Sequence, residues 1–330
     1  NRWSRIADSE ILTTLLLKEL GFLAPRTRFV NVTFNGVKNE MLFQENPVKE
    51  FLEKNLRREA PMFEGDETLI YNDLGRGTLF HNKDFYKISL SRLENKEWVL
   101  KGNSSLKMAL KAYPIMQNLY MQHKATSIMP FDLYSLNIDS LTKASNQARQ
   151  HIYEYEALVL AMGCMHGMIP HNRKFYWNPL LGTFEPIYYD GDCAQIIPSI
   201  KSTSFEFEND NIFYFSEDFL PAVDSLISKI NELDDKKFVA KAMDLCMGDN
   251  CLYNENMIFE YGWNHVDPII SVSFIENYLP TIKANLQSYK NRILNYTDNS
   301  LSEKRVEYDN KQVFDIYKKN LFTVFPNSNL

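Results

Sequence analysis

The chain has no surplus of positive charge: 36 Lys and Arg stand against 42 Asp and Glu, for a formal net charge of -6. That balance leaves no basic patch or stripe of the kind nucleic-acid binding needs, so nucleic acid is not expected as a partner. A nucleotide held by a few local groups remains compatible with it. Cysteine is scarce. The four residues Cys164, Cys193, Cys246 and Cys251 include no Cys-x-x-Cys pair, which argues against a structural zinc site, and their even number alone fixes no disulfide. No apolar run reaches the ~18 residues a membrane-spanning helix requires, so no membrane span is expected. There is no internal repeat and no low-complexity linker. The sequence opens on Asn1-Arg2-Trp3, with neither an initiator Met nor a secretory signal pattern, and the natural chain is expected to extend further back.

What is present is material for a core. The chain has 330 residues, 45% of them hydrophobic, with 22 Phe and 18 Tyr. That composition argues against overall disorder and fits one two-lobed enzyme. Leu12, Leu16 and Leu20, with Ile11 and Leu15, give helical spacing over residues 9–20, and Gly21 followed by Pro25 reads as its stop. Val30, Val32 and Phe34 alternate on one face of a strand. Asn35-Gly36 then fits a two-residue hairpin turn, because both central residues need positive φ. The return strand runs through Met41 to Glu45. Asn46-Pro47 reads as the cap and first residue of another helix. The stretch from Arg57 to Lys101 carries dense charge and little periodicity. Helices are expected over Ser104–His123, over a long span from Leu141 to Met165 ended by Gly167 and Pro170, and near 217–231, 235–247 and 273–294.

One segment concentrates groups with chemistry. The buried end of the long helix delivers His166-Gly167-Met168-Ile169-Pro170-His171-Asn172. A hairpin from Arg173 to Tyr189 follows, and it ends in Asp190-Gly191-Asp192. Magnesium takes oxygen ligands, commonly one or two carboxylates with phosphate oxygens and waters. Asn172 offers an amide and Asp190 a carboxylate, and a hairpin between them can bring both to one mouth. Gly191 reads as the residue that lets the chain turn after the ligand. Asn172 can equally stabilise a turn, and Asp190-Gly191-Asp192 can equally be a solvated turn after a strand. The histidines fit packing or surface roles as well as catalytic ones.

Two blocks of the sequence resemble the CotH kinase family, the spore-coat-protein-H-like atypical protein kinases. The first contains Leu20-Gly21-Phe22-Leu23-Ala24-Pro25, the Phe29 to Gly36 hairpin, Met41 to Glu45 and Lys49-Glu50-Phe51-Leu52. The second is His166 to Asp192, above all Pro170-His171-Asn172 and Pro186-Ile187-Tyr188-Tyr189-Asp190. The resemblance implies an α+β, protein-kinase-like two-lobed fold with a truncated small lobe. Residues 1–45 would be the remainder of that lobe, and 46–330 a mainly helical large lobe carrying the metal segment 163–192. It implies ATP with Mg2+ or Mn2+ as cofactors, Asn172, Asp190 and Asp192 at the metal, Glu45 where the chain crosses between lobes near the nucleotide, and Glu10 as partner of a phosphate-binding lysine upstream. It further implies transfer of phosphate to Ser or Thr of a protein, and an extracellular, cell-surface or spore-surface setting that nothing else in the sequence addresses.

The chain departs from that pattern in one respect. Gly163-Cys164-Met165-His166-Gly167-Met168 holds no carboxylate where a catalytic Asp is expected. His166 is the candidate proton acceptor in its place, with a side-chain pKa suited to the role. Two other readings follow from the residues. One is an inactive kinase-like scaffold, or pseudokinase, bound to a coat or surface partner. The other is a metal-dependent phosphoesterase built on His166, His171 and Asp190.

Overall fold

A computed structural model describes residues 7–66, 90–121, 138–143, 145–168, 172–191, 193, 217–247 and 272–296. These residues form a mixed α+β structure with two small antiparallel sheets and several helices. Helix α1 (Ala7–Glu19) buries Ile11, Leu12, Leu15, Leu16 and Leu17. It stops in a Schellman motif: Gly21 takes φ 84°, Phe22 N donates to Leu17 O at 2.9 Å and Gly21 N to Lys18 O at 3.0 Å. These bonds satisfy carbonyls that the helix end leaves open. The ribbon β1 (Thr27–Phe34) and β2 (Val37–Gln44) turns through Asn35 and Gly36, both at positive φ as the turn type demands. Its Phe29–Leu42 pair packs on the core. On the opposite face, Phe34 is 70% exposed and Met41 39%.

The short helix α2 (Lys49–Lys54) begins later than Asn46-Pro47 suggests. Its N-cap is Val48, which offers no side-chain acceptor, and the Asn46 carbonyl instead accepts from Val48 N at 2.9 Å. A turn has taken the bond that a capped helix start would have used.

The weakly patterned stretch after Arg57 contains strands. β3 (Met62–Gly65) and β4 (Ser91–Leu93) join the hairpin β5 (Lys174–Asn178) and β6 (Thr183–Ile187) in a four-stranded sheet of order β4-β3-β5-β6. Strands β3, β5 and β6 are buried along their length. One sheet face carries Phe63, Phe175, Trp177 and Phe184, against which Ala112, Met116 and Leu119 of α4 (Asn103–Met121) pack. The other carries Met62, Tyr176 and Ile187 against Phe51 and Leu52 of α2. The period of two puts alternate residues on opposite faces. A row of charges crosses this sheet. Arg92 and Lys174 sit directly opposite Glu64 on either side, bonded to it at 2.5 Å each, and Lys174 Nζ also reaches Glu94 at 2.9 Å.

Helix α3 (Lys96–Val99) precedes α4. The long helix expected from Leu141 to Met165 is two helices, α5 (Ile138–Thr142) and α6 (Asn146–Ala161). They are divided at Lys143, which takes φ 49°, and Ser145 caps α6 by accepting from Ala148 N. Gly163, not Gly167 or Pro170, ends α6. It takes φ 70° in a second Schellman motif, with Cys164 N donating to Val159 O and Gly163 N to Leu160 O, both at 3.0 Å. Helices α7 (Leu220–Asn231), α8 (Asp235–Met247) and α9 (Val272–Tyr296) share one core with α1 and α6. Among the described residues no helix is long and apolar enough to cross a membrane.

One ion pair joins α6 to the hairpin. Arg173, just before β5, donates to Glu156 on α6, and both side chains are only 2% exposed. Burial pushes the Glu156 carboxyl upward, and the guanidinium beside it favours the charged form. Removing one partner strands a charge in the core, so Glu156→Ala should lower unfolding free energy by about 3–5 kcal/mol in urea titrations. A loss under about 1 kcal/mol, the worth of a surface pair, would contradict this placement.

The charge row predicts a pH dependence. Burial alone would raise Glu64, yet its hydrogen bonds and the Lys174 and Arg92 charges hold it down at about 2. Its ionised, paired form therefore belongs to the folded state. That contribution is complete above the ordinary value of 4.5 and drains away as pH falls toward about 2. Glu94, raised by burial and by Glu64, pulls the opposite way. The comparison that isolates Glu64 is therefore Glu64→Gln against wild type, and the variant should lose stability less steeply across that acid window. Parallel curves would remove Glu64 from the account.

Candidate functional site

The end of α6 and the end of β6 meet at the candidate site. After the Schellman turn at Gly163 the chain makes one 3-10 turn, Met165–Met168, and this turn lies directly on the backbone that follows β6. His166 N donates to Gly191 O at 3.2 Å. A Cβ on Gly167 would stand 2.7 Å from the Tyr189 carbonyl oxygen and 3.3 Å from Gly191 Cα. The backbones approach too closely for any side chain at position 167.

Three of the expected site residues come together here. His166 Nε2 lies 3.5 Å from Asp190 Oδ2, with side chains 41% and 54% exposed. Asn172 Nδ2 donates to the His166 carbonyl at 3.3 Å, and Asn172 itself is mostly buried. Asp190 takes φ 46°, the left-handed region that Asp tolerates better than most residues. The sharp turn therefore falls on the carboxylate residue itself. Gly191 does not take positive φ; it is required because the phenol ring of Tyr188 occupies the space its Cβ would fill. Asp192 and His171 lie outside the described residues.

The other two expected residues are elsewhere engaged. Glu45 lies at the foot of the β1–β2 ribbon, where Arg26 clamps it, Nε to Oε2 at 3.0 Å and Nη2 to Oε1 at 2.8 Å. Burial opposes the charge, but these bonds bring the Glu45 carboxyl below its usual range. Glu10, on α1, points into the core and accepts from Tyr188 Oη at 2.8 Å. Burial first, and then the Glu10 carboxylate, raise the Tyr188 phenol well above its ordinary value, so it stays a donor. Glu10 thus stands two residues from Asp190 through Tyr188. A backbone tie reinforces the approach: Leu23 forms a parallel bridge to Ile187, and Tyr188 N donates to Leu23 O at 2.8 Å.

The sequence reading leaves out the feature that closes the segment. Cys164 and Cys193 form a disulfide across 29 residues of sequence, spanning His166, Asn172 and Asp190. Both cysteines are fully buried. The Thr13 hydroxyl of α1 lies 3.5 Å from each sulfur and 3.3 Å from Tyr278 Oη of α9, and Cys193 Sγ lies 3.0 Å from Tyr188 Oη. A loop of that length contributes about 3–4 kcal/mol in the chain-entropy account of cross-links. The one signal in the sequence is that these two cysteines bracket the chemical segment, but no spacing rule pairs them. Lys174, also unforeseen, places its ammonium 4.2 Å over the Tyr189 ring, beside Asp190.

Asp190 and Asn172 are the residues that could hold a hard divalent cation, since a carboxylate and an amide oxygen leave positions for water and phosphate oxygens. Among the described residues no group of three or more His, Cys, Asp or Glu side chains clusters as metal ligands.

Close packing at the glycines is directly testable. Gly191→Ala should lower stability by about 1–3 kcal/mol, as overpacking does. Gly102→Ala, where an added Cβ meets open space, should stay within about 0.5 kcal/mol of wild type. Equal effects of the two in thermal unfolding would argue against the contact of Tyr188 with Gly191. The chain matches no protein-family model and no curated protein.

Proposed function

We propose that this chain is a kinase-like protein of the CotH type, which uses ATP and a divalent metal to phosphorylate Ser or Thr of a protein substrate. The observation that carries the reading is the convergence of His166, Asn172 and Asp190 at one mouth, formed by the end of α6 and the β5–β6 hairpin. Asp190 would be the main metal ligand, Asn172 the second, and Asp192 lies one residue beyond Gly191 in sequence. Mg2+ or Mn2+ bound there would neutralise charge on the phosphate oxygens.

The protein's own residues supply positioning. The Glu10–Tyr188 bond and the Leu23–Ile187 bridge fix the chain that ends in Asp190, and well-held groups are what phosphoryl transfer chiefly asks of a protein. In the transfer, the substrate hydroxyl oxygen bonds to the γ-phosphorus as the bond to the ADP oxygen breaks. The hydroxyl proton passes to His166, whose Nε2 lies 3.5 Å from Asp190 Oδ2. Under the same reading Glu10, held by Tyr188, would need to turn toward a lysine to hold phosphates.

The second reading is a kinase-like scaffold in a surface or coat assembly. The absence of a carboxylate between Gly163 and Met168 favours it. ATP binding to the full-length protein, with and without Mg2+ or Mn2+, separates the two. Metal-dependent binding that Asp190→Ala weakens by about 100-fold or more, roughly 2.7 kcal/mol, with unfolding otherwise unchanged, supports the kinase reading. A folded wild type that binds no ATP supports the scaffold.

A further inference from the structure

We propose that the face formed by α3 and α4 is a docking surface for an acidic segment of a partner protein, whose large apolar side chains lie along α4 and enter a cleft beside β4. The inference stands apart from the reading of the mouth at Asp190 and holds whether or not the chain transfers phosphate.

Helix α4 exposes an apolar stripe as well as burying one. Ala109, Ala112, Met116, Leu119 and Tyr120 face the core. Leu106, Leu110 and Tyr113 recur at helical spacing on the neighbouring face and are 39%, 61% and 37% exposed. Leu100, where α3 ends, is 78% exposed. Single exposed apolar residues are ordinary, but a row of them continuous with a cleft marks an interaction surface. The cleft, of about 500 Å³, lies between β4, α3 and α4, with Leu93, Val99, Leu100, Tyr113 and Gln117 in its lining. Its wall is braced. Gln117 Nε2 donates to Ser91 O at 2.5 Å and to Tyr113 Oη at 2.7 Å, which ties helix, edge strand and tyrosine ring together. A cleft of that volume takes a drug-sized molecule, and so a large side chain of a partner. From Leu106 to Gln117 the helix rises about 16 Å. That length matches a peptide segment better than a small molecule.

The charge around the stripe states the chemistry of the partner. The chain as a whole is acidic, yet α4 holds no Asp or Glu, and residues 96–121 contain four lysines against one glutamate, Glu97. Lys107 and Lys111 follow Leu106 and Leu110 by one residue, about 100° around the helix. Both are exposed, and they line the side of the stripe away from the core. Lys96, also exposed, lines the cleft. Lys229, Lys241 and Lys290 reach Glu154, Glu19 and Asp224 on neighbouring elements. Lys96, Lys107 and Lys111 form no such pair among the described residues, and Lys101 reaches Glu59 only at 3.9 Å. The cleft itself mixes signs, Asp66 against Arg92 and Lys96. An apolar side chain is therefore what it receives, and the partner's acids belong along Lys107 and Lys111.

The two kinds of contact have different tasks. Exposed ammonium groups each add little affinity, and salt screens them, but they select the sign of the partner and steer its approach. Burial of the leucines and of the anchor in the cleft supplies the affinity. Nucleic acid, the other polyanion, would cover the lysines and leave Leu106 and Leu110 in water. A second copy of this chain would meet the stripe with its own stripe across a two-fold axis, and so set Lys107 and Lys111 against like charge. An acidic, amphipathic segment satisfies both halves of the surface.

The test uses the full-length protein and fluorescein-labelled peptides that carry leucines at helical spacing among glutamates, beside matched peptides with lysine in place of glutamate. In anisotropy titrations at low salt the glutamate peptides should bind about tenfold or more tightly than the lysine peptides, and added salt should narrow the gap. Leu106→Gln with Leu110→Gln should weaken binding by about tenfold or more and leave the thermal midpoint in place, since both side chains are exposed. Lys107→Glu with Lys111→Glu should invert the preference, so that the lysine peptides bind the more tightly. A folding defect cannot produce that inversion. Equal binding of the two peptide sets by wild type, or none of either, overturns the proposal. So does a charge-reversed variant that keeps the original preference. Sedimentation supplies the remaining arm: a wild-type dimer that the double leucine variant dissociates would seat a second copy on the stripe and overturn the peptide assignment.

Discussion

Arg173 and Glu156 meet in a part of the molecule where neither has access to water. A lone guanidinium or a lone carboxylate there would carry a desolvation penalty of several kcal/mol, so each is tolerable only with the other in place. This fixes more than two side chains. Glu156 lies on α6, midway through a run of buried residues that includes Tyr155, Leu158 and Leu160. Arg173 lies between Asn172 and the first residue of β5. The helix that ends before His166 and the hairpin that leads to Asp190 are therefore held in one register by a contact with almost no freedom to slip. The partly exposed mouth is built outward from that point.

A second constraint reaches the same place from α1. Glu10 and Thr13 lie about one turn apart on a helix, and both are buried. One receives the Tyr188 phenol, and the other stands against the two sulfurs and Tyr278. The polar groups of this core are thus used up by one another, as buried groups must be. Asp190, two residues beyond Tyr188, is half exposed. The structure passes from a dry, fully paired layer to a wet carboxylate within three residues of chain, a short support of the kind a binding group needs if it is to stay in position while remaining open to solvent.

What the sequence made legible was local. The Asn35-Gly36 turn, the Gly21 stop and the three helices after residue 217 are each specified by residues within a few positions of one another, and each is found close to where its pattern puts it. The meeting of His166, Asn172 and Asp190 could be read because a short hairpin leaves little choice about where its two ends go. The rest depends on partners far away in sequence. Strand β3 has no alternating pattern of its own, since it is buried on both faces, and Glu64, in the stretch of dense charge, pairs with Lys174, 110 residues later. The sequence pattern ends α6 at Gly167 and Pro170, whereas the Val159 and Leu160 carbonyls, satisfied by Cys164 and Gly163, end it at Gly163. The pairing of Cys164 with Cys193 follows from a core that no window of sequence contains.

The face-to-face contact of the Gly167 turn with the chain at Tyr189 to Gly191 bears on how this protein can change over generations. Position 167 cannot accept a methyl group while the chain at 189–191 stays where it is, and position 191 cannot accept one while Tyr188 keeps its place. No single step away from glycine at either position is free of a clash, so the two are locked by each other's surroundings. A change at either glycine is therefore open only to a lineage that also moves the opposing group, the chain at 189–191 for position 167 and the Tyr188 ring for position 191.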